Sequence, residues 1–121
     1  MYRQPEVRAS RVAVVGATGY AGAEVVRLLH AHPAAEIVCA TSEKDAGKPL
    51  ADVHRYLSPT GLELTAVDVG VILKRRADFA FVALPHGAST PVVRGLVEGG
   101  VRVIDIGADF RFADAATYER A

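Results

Sequence analysis

The chain has little of what would tie a function to disulfides, to a charged surface or to a membrane. Its 121 residues include one cysteine, Cys39, so no internal disulfide is open to it. A reduced, cytoplasmic setting is the default expectation. Lys plus Arg and Asp plus Glu each number 14, a net charge of zero. That balance argues against a nucleic-acid surface and against an anionic membrane as partner. No apolar run approaches the roughly 18–20 residues that cross a bilayer. The start, Met1-Tyr2-Arg3-Gln4-Pro5-Glu6, lacks the apolar stretch of a secretory signal. Internal repeats and low-complexity tracts are also missing. What is there is ordinary for one globular domain: 50% of residues are apolar and 23% charged, so function has to rest on a local site.

Residues 1–10 are polar and read as a loose arm. From 11 to 121, short β-like runs alternate with helical patterns, which predicts an α/β domain with a Rossmann-like, doubly wound parallel sheet. Strands are expected at Arg11–Val15, Glu36–Thr41, Leu62–Ala66, Phe79–Leu84 and Val101–Asp105. The Phe79–Leu84 run is continuously apolar and reads as a central strand buried on both faces. Helices are expected from Tyr20 to Ala31, over a short segment using Leu50, Val53 and Leu57, after an Asp68 cap, and after a Ser89 or Thr90 cap with Pro91 in its first turn. Pro33 and Gly99-Gly100 act as stops. A last helix is expected from Asp114 through Arg120. In such a sheet, ligands bind beyond the carboxyl ends of the strands. Three loops fall there: Gly16–Gly22, Leu84–Ser89 and Gly107–Arg111.

The first loop is the most informative. Gly16-Ala17-Thr18-Gly19-Tyr20-Ala21-Gly22 follows the apolar run Arg11–Val15 and opens a helix. A helix N-terminus leaves backbone N–H groups without partners and carries partial positive charge, so it attracts phosphate. Strand, glycine turn and helix together predict a cradle for a dinucleotide pyrophosphate, although Gly-x-x-Gly-x-x-Gly differs from the commoner spacing. Gly22 suits helix–sheet packing more than ligand contact. The end of the second strand bears on the cofactor ribose. Thr41, Ser42 and Lys44 offer hydroxyl and basic groups that suit a 2′-phosphate, hence NADP; Glu43 counts the other way. Leu84-Pro85-His86-Gly87 allows the backbone to lie flat beneath a ligand. His86 is open to three readings: lining, proton transfer or structure. Arg111 is able to fork onto a phosphate or carboxylate, or to pair internally with Asp105 or Asp109. Cys39, between Val38 and Ala40, reads as inert packing rather than a nucleophile. His30, His32 and His54 lack metal-ligand spacing, and no metal is expected.

Three segments, Val14–Glu24, Ala83-Leu84-Pro85-His86-Gly87 and Asp105-Ile106-Gly107-Ala108-Asp109-Phe110-Arg111, together resemble the N-acetyl-γ-glutamyl-phosphate reductase family of arginine biosynthesis. The first also fits aspartate-semialdehyde dehydrogenases, and a relative acting on aminoadipyl phosphate shares the same chemistry. The resemblance implies reductive dephosphorylation of an acyl phosphate to a semialdehyde, through a cysteine thiolate and NADPH. It implies that Gly16, Thr18, Gly19, Tyr20 and Ala21 hold the pyrophosphate. Thr41 and Ser42 then lie near the adenosine ribose, Pro85, His86 and Gly87 line the nicotinamide side, and Arg111 grips the substrate phosphate. In that family the nucleophile sits in a Pro-Gly-Cys type motif further along than Ala121, as does the domain through which copies associate as homo-oligomers. The expectation is therefore an incomplete, N-terminal dinucleotide-binding domain that binds cofactor and is inactive alone. A stand-alone nucleotide-binding or interaction module is the competing reading.

Overall fold

A computed structural model describes residues 9–85 and 87–106. His86, the Gly107–Arg111 loop with Arg111, and the helix expected from Asp114 lie outside the described residues.

Among the described residues, five parallel strands form one sheet: β1 (Ser10–Val15), β2 (Ala35–Thr41), β3 (Leu64–Thr65), β4 (Phe79–Val82) and β5 (Arg102–Asp105), in the order β3-β2-β1-β4-β5. Three helices connect them: α1 (Tyr20–His30), α2 (Val69–Lys74) and α3 (Ser89–Glu98). Alternation along each strand divides the core between the two faces of the sheet. Val14 and Ala40 meet Ala23 and Val26 of α1 on one side, joined by Leu50, Leu57 and Leu64. Ala13, Val15, Ala80 and Val82 meet Ile72 of α2 and Leu96 of α3 on the other. Helices on both faces of a parallel sheet make the fold doubly wound.

Several local differences from the sequence pattern have physical causes. The expected helix over Leu50–Leu57 is two short 3₁₀ turns, Leu50–Asp52 and Arg55–Thr60. Pro59 and a left-handed Gly61 (φ 64°) suit such tight, brief turns better than a continued α-helix. The third strand is two residues long because the chain just before it pairs elsewhere. Leu50 N–H donates to the Leu62 carbonyl, and Leu64 N–H donates to the Lys48 carbonyl. β4 is not buried on both faces: Ala80 and Val82 are fully buried, whereas Phe79 and Phe81 are half-buried. The phenylalanines pair with Val12 and Val14, hence lie on the α1 side, beside Arg102 and a 38% exposed Ile104 on β5. The Arg102 guanidinium lies 5.8 Å from the centroid of the Phe79 ring. α3 has Ala88 at its cap position, with no side-chain cap bond, and a buried Ser89 is its first residue. Asp68, as expected, caps α2 by accepting from the Val71 N–H at 3.3 Å.

β2 carries a bulge. Val12 pairs with Ile37, but Ala13 pairs with Cys39, so Val38 is an extra residue. Its carbonyl accepts from the Arg75 guanidinium at 3.1 Å.

Candidate functional site

The order β3-β2-β1-β4-β5 reverses direction between β1 and β4, and a cavity of about 670 Å³ opens there at the carboxyl ends of the strands. Its lining comes from the turn after β1, from Ser42, Glu43 and Lys44 after β2, from Leu84 and Pro85 after β4, and from Ile106 after β5. A crevice at such a switch point is where open α/β sheets take ligands.

The turn is built by its glycines in two different ways. Gly16 has φ 86°, a backbone region that side chains rarely adopt, and a Cβ there would collide with the Ala83 carbonyl of the neighbouring strand. A Cβ on Gly22 would collide with the Gly16 carbonyl, so Gly22 lets α1 press against the turn. Gly19 differs from both: its φ is −74°, and a Cβ would meet nothing within 4 Å. It caps α1 without a side-chain hydrogen bond, and Gly19, Tyr20 and Ala21 all line the cavity. The first turn of a helix leaves its N–H groups without intrahelical partners, so this opening presents donors and partial positive charge to the cavity. Tyr20 stands 95% exposed at its rim.

The protein side of the turn is held by side chains. The Gly16 N–H donates to Thr41 Oγ1 at 3.0 Å. The hydroxyls of Thr18 and Ser42 lie 3.3 Å apart, and Ser42 Oγ accepts from the Asp45 N–H at 3.1 Å. His54 Nε2 reaches the Thr18 carbonyl at 2.7 Å.

The expected site residues therefore divide. Gly16, Thr18, Gly19, Tyr20, Ala21, Ser42 and Pro85 come together around the cavity. Thr41 does not line it: the residue is fully buried, and its hydroxyl serves Gly16 from behind. Gly87, with φ 78°, also falls outside the lining. Cys39 is buried, with Sγ 3.6 Å from Thr65 Oγ1, and is not part of the lining. Sequence reasoning missed the apolar wall of Val67, Ala88 and Val92. Nothing local marks Val67, Ala88 or Val92 as facing a cavity. It also missed His54, for which no sequence signal existed. Among the described residues no cluster of His, Cys, Asp and Glu is placed to hold a metal ion. No helix among them is long and apolar enough to cross a membrane.

Strand order, glycine turn and switch-point cavity together define a dinucleotide-binding domain of the Rossmann type. The particular family is settled by comparison with known proteins. The chain belongs to the semialdehyde dehydrogenase NAD-binding domain family, whose model matches residues 11–119. It is 50% identical over 110 residues to an N-acetyl-gamma-glutamyl-phosphate reductase of Rhodopirellula baltica, covering 90% of this chain and 32% of that protein. A protein of the same name from Geobacter sulfurreducens is 46% identical over 110 residues, covering 91% and 32%. The chain thus spans about a third of the length of these relatives. Among solved structures, an aspartate semialdehyde dehydrogenase with NADP from Candida albicans superposes with a TM-score of 0.73 at 24% identity, covering 85% of this chain and 31% of that one.

Proposed function

We propose that this chain is the NADP-binding portion of an N-acetyl-gamma-glutamyl-phosphate reductase, an enzyme that reduces an acyl phosphate to a semialdehyde with NADPH. The carrying observation is the uncapped N-terminus of α1, which opens through Gly19 into the switch-point cavity. The residues fit the cofactor. Gly16 makes the turn, the backbone N–H groups of Gly19, Tyr20 and Ala21 are the donors for the pyrophosphate, and Thr18 stands beside them. Lys44, exposed at the rim, and Ser42, buried in the lining and fixed by its bonds, are the groups for a ribose 2′-phosphate. Pro85, which lines the cavity, and its chain neighbours His86 and Gly87 are assigned to the nicotinamide side, and Arg111 to the phosphate of the substrate. Thr41 supports the turn rather than touching the ribose.

When bound, NADPH would supply the hydride for that reduction. The chain's own part is to bind, orient and exclude water, with the wall of Leu84, Val67 and Val92 as the dry surface. The 121 residues bring no thiol to the cavity, because the single cysteine is buried within β2. Binding without turnover is therefore expected of this chain alone. The chemistry, and the association of copies, belong to the rest of the enzyme. Fluorescence titration with NADPH and NADH tests the reading. NADPH binding at least about tenfold tighter, or ~1.4 kcal/mol, supports it. Equal or reversed preference overturns the choice of NADP, and failure to bind either overturns the reading as a whole.

A further inference from the structure

His54 stands behind the glycine turn, outside the cavity lining, with Nε2 2.7 Å from the Thr18 carbonyl oxygen. A carbonyl only accepts, so the imidazole donates from Nε2. The Thr18 carbonyl and the Gly19 N–H belong to one planar trans peptide, in which the two groups point in opposite directions. Fixing the carbonyl on His54 therefore turns the Gly19 N–H to the side where Gly19 opens into the cavity, and a donor on the carbonyl also polarises that N–H. Gly19, at the cap position of α1, has no side chain with which to hold the helix opening itself.

The imidazole is itself well held. His54 lies between the two 3₁₀ turns, whose Leu50 and Leu57 are buried in the α1-side core. The backbone N–H of His54 donates to the Leu50 carbonyl at 3.0 Å. The ring meets Tyr56 edge to face, with centroids 5.8 Å apart. We propose that His54 is a positioning residue for the dinucleotide site: it orients the Thr18–Gly19 peptide so that its N–H meets the cofactor pyrophosphate. The proposal rests on the cofactor-binding reading above. It also gives the segment between β2 and β3 a role, namely carrying this donor to the back of the turn.

The test uses the 121-residue chain with His54→Leu and His54→Gln, the second keeping an N–H donor close to the place of Nε2. His54→Leu is expected to weaken NADPH binding about five- to tenfold. It is also expected to speed amide hydrogen exchange at Ala23, whose N–H donates to the Gly19 carbonyl at 2.9 Å, while leaving the β1 and β4 amides unchanged. His54→Gln is expected to recover binding to within about twofold of the parent chain. Unchanged affinity and exchange in His54→Leu would overturn the proposal. So would equal weakening in both variants with a common fall in Tm, since that marks packing alone. A parent chain that does not bind NADPH defeats the cofactor reading, and the exchange arm then still decides: unchanged exchange at Ala23 overturns the orienting role, and faster exchange in His54→Leu alone upholds it.

Discussion

The glycine turn has two sides built by opposite rules. On the protein side everything is filled: a side chain on Gly16 or Gly22 would strike backbone, and Thr41, Ser42 and His54 engage the turn's polar groups. On the cavity side the backbone stands open, with free space at Gly19 and no cap on α1. A glycine is crowded on one side and stands in open space on the other, though all three glycines belong to one motif. The difference teaches that the turn is a backbone surface stiffened from behind, and in the proposed reading that bracing aims its donors before the ligand arrives.

The sharpest way to break the contrast is Gly16→Ala. It adds a Cβ against the Ala83 carbonyl at a positive φ, so a loss of roughly 3 kcal/mol or more is expected. Chemical denaturation measures it, and a midpoint near that of the parent chain would contradict the crowded side. Gly19→Val probes the open side. It is expected to weaken NADPH binding about 100-fold, ~2.7 kcal/mol, because the side chain occupies the phosphate's place. Its Tm should stay near the parent's; a large fall in Tm would make Gly19 a folding residue like Gly16. Thr41→Val leaves the part-buried Gly16 N–H without its acceptor at similar volume, and about 2 kcal/mol of stability should go. A value near zero would show that Thr41 does not brace the turn.

The smallest effect lies outside both sides. Glu24, on the exposed surface of α1, is held below its ordinary titration range by the hydrogen bond from Arg27 and then by that residue's charge. A lowered carboxylate pKa contributes stability at pH above the unfolded value and loses it as pH falls through the folded value. Glu24→Gln should therefore lower Tm slightly at neutral pH, with the gap closing in acid and shrinking in salt. A gap that widens in acid would reverse this account.

How far this contrast was readable in the sequence depends on the residues. Strand β1, the turn and α1 were legible because apolar run, glycines and helical spacing act locally and agree. The Asp68 cap and the Gly99-Gly100 stop were legible for the same reason. Pattern could not tell Gly19 from Gly16, since the distinction lies in whether Ala83 of a distant strand faces the missing Cβ. Thr41 looked like a ribose contact because it ends β2, but it pairs with Val15, and that places its hydroxyl at Gly16. The half-exposed Phe79 and Phe81 were misjudged because burial on the α1 face is set by what lies over it, not by the apolarity of the run. His54 acts across 36 residues of sequence, and no local signal carries that.

The bulge at Val38 has a consequence for how this fold tolerates change in length. Ile37 and Ala40 pack in the α1-side core, while Val38 and Cys39 join the opposite one, so β2 holds a spare residue that its partner β1 does not match. Strict counting by twos would set Cys39 beneath α1; the spare residue sets Ala40 there instead. Loss of one residue at that point would restore simple alternation and still deliver Thr41 to Gly16. β2 is thus the place where this sheet absorbs an insertion or deletion without disturbing the edge at which the cavity opens.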